Sequence, residues 1–305
     1  MSVRGHLWTI APRLRHGFRP LQPPESRAFR TALRDPVAGE VPVTGRLRDV
    51  PGSDELLMIV HGLGGCTDSH YMLRAAMTAE AAGISSLRVN LRGCDRGGDD
   101  FYHAGLTADL HAALASEELS RYRRVYVLGY SLGGHVALRL GTEEGDPRLA
   151  AVAAICSPLD LALSQQEIDS PALWIYRRYL LNNLVTIYSA VAARRPVPLP
   201  MEQAARIRTL REWDDRVVAP RHGFLDAGDY YARASVAPRL PDLRVPGLLV
   251  ATESDPMVPA GAVRAALRDP APRLEVRWLA GGGHVAFPRS LAVDSQVIDW
   301  LRTRY

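Results

Sequence analysis

Residues 125–141 read VYVLGYSLGGHVALRLG, and this stretch decides the fold. An apolar strand pattern runs into G-x-S-x-G, and a helical pattern follows at once. A serine that exposes its hydroxyl on such a turn needs a strained backbone, and Gly129 and Gly133 remove side chains that would collide where strand and helix approach. The context predicts that Ser131 is a nucleophile. A serine in an ordinary tight turn is the alternative.

Short apolar runs alternate with helical patterns on both sides of this turn. Near-continuous apolar strands are typical of a parallel sheet that is covered by helices on both faces. We therefore predict an α/β fold with a mostly parallel central sheet flanked by helices. The predicted strands are 56–60, 86–91, 125–130, 150–156, 247–252 and 274–279, with a candidate antiparallel edge strand at 43–50, and the predicted helices are about 70–82, 103–119, 132–141, 260–268 and 290–303.

The alternation breaks over 161–240, where apolar residues recur at helical spacing. Because the α/β pattern resumes afterwards, we interpret 1–305 as a single domain with a helical lid inserted at 161–240. The segment leaves the sheet near Ser131, so we expect it to lie over the strand ends. Four side chains are candidates to line a pocket there, or simply to pack the lid onto the main domain: Trp174, Tyr176, Tyr179 and Leu180.

A serine hydroxyl is a poor nucleophile at neutral pH, so Ser131 needs a neighbouring imidazole to take its proton. His284 lies in the glycine-rich loop GGGHVAF after a predicted strand, which lets its side chain reach the carboxyl edge of the sheet. By contrast, His135 belongs to the helix that follows the serine, and His222 falls in the lid. Asp255 follows the strand GLLVAT and is expected at the same edge, where it would hold the imidazole tautomer and stabilise the imidazolium.

Two other acids compete for the role of Asp255. Asp160 also follows a predicted strand, but we expect it to cap the helix that opens the lid. Glu253 stands two residues before Asp255, and the alternation of side chains would turn it away from the site.

The sequence HGLGG at 61–65 follows the predicted strand LLMIV. We expect the backbone N–H of Leu63 to form an oxyanion hole together with that of Leu132. Losing one such donor typically costs about 3 kcal/mol of transition-state stabilisation. A dinucleotide-binding loop is the alternative, but it needs a third glycine where Thr67 stands, and no acidic residue ends the next strand.

Composition excludes several classes of mechanism. The net charge is +4, and every one of the 37 basic residues is arginine, which rules out a Schiff-base lysine, a Ser-Lys dyad and a phosphate-loop lysine. The arginines are spread along the chain without interleaved aromatic residues, so we expect no nucleic-acid partner.

Targeting and redox signals are also missing from the sequence. No run approaches the roughly 18 apolar residues of an integral membrane helix, and the first residues lack the apolar core of a secretory signal. Three cysteines, Cys66, Cys94 and Cys156, form neither a disulfide framework nor a metal pattern. We expect a cytoplasmic enzyme with reduced thiols and with no cofactor or metal; the sequence does not decide its oligomeric state.

Several motifs resemble those of the YheT-like hydrolases, a branch of the α/β-hydrolases that is related to the animal ABHD esterases and phospholipases. The motifs are HGLGG (61–65), SHY (69–71), VNLRGC (89–94), YHAGLTADL (102–110), GYSLGG (129–134), SPLDL (157–161), EWDDRVVAPRHGF (212–224), SDPMVP (254–259) and GGGHV (281–285). The resemblance covers nearly the whole chain. It implies the α/β-hydrolase fold, a triad of Ser131, Asp255 and His284, and hydrolysis of carboxylic esters with short or medium acyl chains.

Two features qualify the resemblance. His135 stands where the family more often has asparagine, which concerns local packing at most. The RGC and YHAGLTAD motifs are expected to brace loops around the site, so Cys94 and Asp109 are interpreted as structural residues.

The main prediction is an esterase that acts on a small-molecule or lipid ester through an acyl-serine intermediate. An acyltransferase would use the same triad and differ only in the acceptor that removes the acyl group. A non-catalytic ligand-binding relative would keep the fold without the chemistry. The combination of an intact triad, a strained turn and an oxyanion sequence favours an enzyme.

Overall fold

A single twisted sheet organises the computed structural model, which describes residues 2–267 and 271–304. Within these residues the strand order is β1-β2-β4-β3-β5-β6-β7-β8. Strands β3 to β8 run parallel, whereas β2 is antiparallel to both of its neighbours. The strands are β1 (Arg27–Asp35), β2 (Gly39–Arg48), β3 (Glu55–Val60), β4 (Ser85–Val89), β5 (Arg124–Tyr130), β6 (Leu149–Ile155), β7 (Gly247–Thr252) and β8 (Leu274–Leu279).

The predicted mostly parallel sheet is therefore confirmed, and each of the six predicted parallel strands lies within two residues of an observed one. The edge position of the candidate strand at 43–50 was wrong. That stretch forms most of β2, but β1 covers its free side through nine paired residues. The sequence of β1, RAFRTALRD, buries Phe29 and leaves most other side chains partly or fully exposed, so it carries little hydrophobic signal.

Helices cover both faces of the sheet, as expected of a parallel α/β fold. Helices α2 and α12 pack on one face, and α3, α4 and α11 pack on the other. The helices are α1 (Val3–Phe18), α2 (His70–Ala81), α3 (Ala108–Leu114), α4 (Leu132–Thr142), α5 (Leu161–Asp169), α6 (Trp174–Ala192), α7 (Met201–Ala204), α8 (Leu210–Trp213), α9 (Ala219–His222), α10 (Ala227–Ala234), α11 (Ala260–Ala266) and α12 (Val293–Arg302).

Three helices differ from the sequence-based expectation. The predicted helix at 103–119 shortens to α3 and a 3₁₀ turn at Glu117–Leu119. The predicted helix at 260–268 corresponds to α11, and its residue 268 lies outside the described residues. Helix α1 was not predicted, because Pro12 interrupts its pattern and Gly5 is its buried residue.

The segment at 161–240 is helical and contains α5 to α10. Hydrogen bonds tie it back to the main body: the N–H of Val236 donates to the carbonyl oxygen of Leu159 at 3.1 Å, and the N–H of Ala104 donates to Tyr230 Oη at 2.9 Å. The helical content agrees with the broken alternation in the sequence. Its role as a lid within a single domain stays a prediction.

A buried ion cluster fixes the loop that follows β4. The guanidinium of Arg92, at the centre, donates to Asp109 at 2.6 Å, to Asp100 at 2.9 Å and to Asp35 at 2.7 Å. Arg92, Asp100 and Asp109 are each almost completely buried. The cluster joins the end of β1 to α3, which accounts for the structural role expected of Asp109.

We predict that Arg92→Met lowers the free energy of unfolding by about 3–5 kcal/mol, because it leaves the buried Asp109 carboxylate without a counter-charge. Urea unfolding followed by circular dichroism measures the change. The matched control is Arg195→Met, which removes an exposed ion pair with Asp99 and is expected to cost less than about 1 kcal/mol. Equal losses in the two variants would contradict the role given to the cluster.

Candidate active site

The turn at Ser131 has the strained geometry that the G-x-S-x-G sequence requires. Ser131 joins β5 to α4 with φ 53° and ψ −123°, a conformation that L-residues rarely adopt. A Cβ on Gly129 would overlap the backbone of Gly133, and a Cβ on Gly133 would overlap the carbonyl oxygen of Val60. Both glycines are therefore needed for the close approach of strand and helix.

The structure brings Ser131, His284 and Asp255 into one hydrogen-bonded chain. His284 Nε2 lies 2.9 Å from Ser131 Oγ, and His284 Nδ1 lies 2.9 Å from Asp255 Oδ2. Asp255 Oδ1 also accepts the backbone N–H groups of Met257 at 2.8 Å and Val258 at 3.0 Å. An Asp255 carboxylate held in this way favours a proton on Nδ1, which leaves Nε2 free to accept the serine proton.

The rival acids lie elsewhere. The Asp160 carboxylate accepts the N–H of Leu163 at 3.0 Å and caps α5, as expected from the sequence. The Glu253 side chain is exposed and pairs with Arg264. Neither acid bonds to the imidazole of His284.

The rival histidines are buried away from the serine hydroxyl. His135 has its two ring nitrogens 2.9 Å from the carbonyl oxygens of Pro158 and Ala234, so it links α4 to both ends of the helical segment. His222 packs against His103, with ring centroids 4.6 Å apart. Burial lowers the pKa of His222 to about 4, which keeps this imidazole neutral at pH 7.

The two predicted oxyanion donors flank the serine. Leu132 is the first residue of α4, where the N–H has no acceptor within the helix. Leu63 follows Gly62, whose backbone packs against the Ser131 side chain. Within the described part of the chain, the N–H groups of Leu63 and Leu132 have no protein acceptor. Both can therefore donate to a substrate oxygen.

Two tyrosines that the sequence reasoning did not single out, the partly buried Tyr71 and the buried Tyr102, hold the loop that contains Leu63. Tyr71 Oη accepts the N–H of Gly62 at 3.1 Å, and Tyr102 Oη accepts the N–H of Gly64 at 2.8 Å. Burial raises the pKa of Tyr71 to about 12, so its hydroxyl stays protonated at neutral pH. The signal in the sequence was the pair of motifs SHY and YHAGLTADL, whose contact with the loop depends on the fold.

Helix α1 supports the loops that contain His284 and Asp255. Thr9 Oγ1 accepts the backbone N–H of His284 at 2.8 Å and donates to the carbonyl oxygen of Gly5 at 2.8 Å. Gly5 itself packs so closely on Ser254 that a Cβ would overlap the carbonyl oxygen there. Sequence reasoning missed Thr9, since a helix at the start of the chain gives no sign of which loop it contacts.

A cavity of about 720 Å³ opens at Ser131 and His284. Its walls come from α1, the oxyanion loop, the loop after β4, and the helical segment at 161–240. Three of the four proposed pocket residues line it, namely Tyr176, Tyr179 and Leu180, whereas Trp174 is 53% exposed and lies outside its walls. The further apolar and aromatic lining residues include Phe101, Ile168, Leu184, Ile187, Tyr188, Trp213, Val218 and Tyr230.

Cys156 lies beside the triad, and its sulfur, His284 and Asp255 are close enough together to be considered as metal ligands. Burial raises the pKa of the Cys156 thiol well above its usual value, so the sulfur is protonated and a poor ligand. The thiol contacts the carbonyl oxygen of Gly283 at 3.7 Å. His284 and Asp255 would also have to give up their mutual hydrogen bond. The arrangement suits proton transfer better than metal binding.

Comparison with known proteins gives a consistent picture. A family model described as "Alpha/beta hydrolase family" matches residues 57–294. "Putative esterase YheT" of Escherichia coli (strain K12) is 29% identical over 265 residues, which cover 81% of this chain and 76% of that protein. Human "Phospholipase ABHD3" is 24% identical over 241 residues, which cover 76% of this chain and 58% of that protein. The chain thus spans little more than half the length of this human relative.

Solved structures show the same fold. The α/β hydrolase GrgF from Penicillium sp. sh18 superposes with a TM-score of 0.61 at 18% identity, over 91% of this chain and 99% of that one. The Pyrococcus furiosus esterase Pf2001 gives a TM-score of 0.58 at 17% identity, over 92% of this chain and 93% of that one. Within residues 2–267 and 271–304, no helix has the length and apolar character needed to cross a bilayer. The family match, the sheet order and the similarity to YheT agree with the resemblance seen in the motifs, and the chain belongs to the alpha/beta hydrolase family.

Proposed function

We propose that this protein hydrolyses carboxylic esters through an acyl-serine intermediate on Ser131. The observation that carries the proposal is the unbroken chain of hydrogen bonds from Ser131 Oγ through His284 to Asp255. Ser131 Oγ attacks the ester carbonyl carbon while His284 Nε2 takes the hydroxyl proton. His284 then gives this proton to the departing alcohol, and the acyl group stays on Ser131.

Deacylation uses the same groups. His284 Nε2 takes a proton from water, the resulting hydroxyl attacks the acyl carbon, and Ser131 recovers its proton as the carboxylic acid leaves. The N–H groups of Leu63 and Leu132 stabilise the oxyanion that forms in both steps. They do so efficiently because the tyrosine hydroxyls that bond to Gly62 and Gly64 hold the loop in place beforehand.

The character of the cavity supports this substrate class. Its walls are mostly apolar and aromatic, and the helical segment at 161–240, acting as a lid, supplies many of them. Such a cavity favours an acyl chain over a charged group, because burying a charge without a partner is costly. Its volume of about 720 Å³ suits a short or medium acyl chain together with part of the alcohol.

We expect wild-type protein to react with a fluorophosphonate probe and to hydrolyse p-nitrophenyl esters, with Ser131→Ala losing both properties. Asp255→Asn should keep the fold and lower kcat by about 10⁴-fold, since it favours the wrong imidazole tautomer. The matched control is Ser164→Ala, which removes another hydroxyl from the cavity wall and should keep both labelling and hydrolysis. Wild-type protein that neither labels nor hydrolyses would contradict the proposal and favour a ligand-binding role.

A series of p-nitrophenyl esters from acetate to palmitate measures the usable depth of the cavity. We expect kcat/KM to rise through short and medium chains and to fall for long ones, because the walls enclose a limited volume. The same series with added ethanol separates hydrolysis from acyl transfer. If ethyl esters are the main product, the preferred acceptor of the acyl group is an alcohol and not water.

Asp214 is the acidic residue of the helical segment that faces this cavity, and it begins a π-helical turn at Asp214–Val218. Its Oδ2 accepts a hydrogen bond from Tyr231 Oη at 2.6 Å. Burial raises the pKa of Asp214 from 3.8 to about 7, and the bond from Tyr231 offsets only part of this effect. The folded chain therefore holds the Asp214 proton more tightly than the unfolded chain does.

We predict that Asp214→Asn gains stability relative to wild type as the pH rises from about 4 to about 7. In this interval the Asp214 carboxyl has lost its proton in the unfolded chain but still keeps it in the folded chain. The stability of the wild-type protein therefore falls as the pH rises. Above about pH 8 the difference should stay constant. Urea unfolding of both proteins at pH 5 and pH 8 measures it, and an equal difference at the two pH values would contradict the shifted pKa.

A further inference from the structure

One face of α1 carries large apolar side chains that are exposed on the surface of the described residues. Val3, Leu7, Ile10, Leu14 and Phe18 are each between 40% and 86% exposed. At 100° per residue they fall within an arc of about 80°, and they run for about 22 Å along the helix. We call these five residues the apolar stripe. A continuous exposed patch of this kind marks an interaction surface.

The other sides of α1 already have their partners. Gly5 packs on Ser254, and Thr9 bonds to the N–H of His284. His6 Nδ1 lies 2.7 Å from Tyr176 Oη on α6. The helix is therefore docked firmly by one side, and the apolar stripe is not needed to attach it to the body.

The charge on α1 points to an anionic partner. The helix contains no acidic residue, and arginines border the apolar stripe on both sides. Arg4 and Arg15 lie along one border, and Arg19 follows the last turn. Arg13 lies along the other border, where its guanidinium stacks on the ring of Tyr179 at 3.8 Å. A helix with an apolar face bordered by arginine is suited to the interface of a bilayer that contains anionic lipids.

The apolar stripe continues into the mouth of the cavity. Ile10 and Leu14 belong both to the stripe and to the cavity wall. Ile175, at the start of α6, also lines the cavity while it is 56% exposed, and the neighbouring Trp174 is exposed as well. A surface that covers the stripe therefore also meets the rim of the cavity.

We infer that α1 is an interfacial helix, which lays the apolar stripe on an anionic lipid surface so that the mouth of the cavity faces the lipid. This inference goes beyond the proposed ester hydrolysis, because binding to the surface needs no chemistry at Ser131. It gives an ester that is dissolved in the bilayer a direct route into the cavity.

The test is sedimentation with sucrose-loaded vesicles of phosphatidylcholine alone or with 30% phosphatidylglycerol (roughly the anionic content that attracts basic helices). Wild-type protein should sediment with the anionic vesicles, and binding should weaken as NaCl screens the arginines. Leu7→Gln with Phe18→Gln should lower the partition coefficient by about tenfold or more. Arg4→Gln with Arg15→Gln should lower it by at least about fivefold on anionic vesicles.

The matched control is Val37→Gln, which removes a similarly exposed apolar side chain from the turn between β1 and β2 and should bind as wild type does. Ser131→Ala should also bind as wild type does, and Leu7→Gln with Phe18→Gln should hydrolyse soluble p-nitrophenyl butyrate at the wild-type rate. Failure of hydrolysis in every variant would therefore affect the proposed function and not this inference.

Three results would overturn the inference: no binding of wild type to either vesicle, equal binding of the Leu7/Phe18 variant, or equal binding to both vesicle types at low salt. A dimer that light scattering detects for wild type but not for the Leu7/Phe18 variant, without vesicle binding, would instead assign the stripe to contact between two copies of this chain.

Discussion

At Ser131 the backbones of β5 and α4 approach so closely that a side chain on Gly129 or Gly133 would overlap main-chain atoms. This contact forces Ser131 into a left-handed conformation and directs its hydroxyl away from the sheet, and it also leaves the N–H of Leu132 unpaired beside that hydroxyl. The cost of such a backbone, on the order of 1–3 kcal/mol, is offset by the buried strands on either side. The proposed nucleophile and one of the proposed oxyanion donors thus come from a single packing constraint.

The remaining parts of the site are positioned by segments that are distant in sequence. Tyr71 and Tyr102 hold the oxyanion loop, and Thr9 holds the backbone of His284. Each bond uses a protein hydroxyl to satisfy a loop N–H, which fixes the loop without a regular helix or strand. The positions of these two loops therefore depend on α1, on α2 and on the loop after β4 as well as on the strands of the sheet.

The sequence predicted the structure well where a local pattern has a single physical explanation. Runs such as LLMIV and GLLVAT are buried throughout, and such runs predicted six strands to within two residues. The glycines around Ser131 predicted the turn, and chain order with loop composition selected Asp255 and His284, which lie in contact. Strand β1 was missed because it covers an edge with mostly exposed side chains. Helix α1 was missed although its apolar residues recur at helical spacing, because Pro12 interrupts the pattern.

Long-range contacts explain what sequence patterns omit. Nothing local distinguishes Thr9 from any other threonine, and its contact with residue 284 arises only when α1 docks across the end of the sheet. The raised pKa of Asp214 likewise comes from burial in a wall that several helices build together.

Helix α1 contacts both the loop that contains His284 and the rim of the cavity. Its inner face bonds to the loop that positions the imidazole, while its outer face presents apolar side chains that are also part of the cavity rim. Because a helix is rigid, a surface that binds the outer face of α1 also fixes the position of its inner face. The support of the His284 loop and the proposed contact with a lipid surface both require α1 to keep a fixed position beside the mouth of the cavity. The bonds of His6 and Thr9 and the close packing of Gly5 hold this helix, which has a single buried residue, on the surface of the fold.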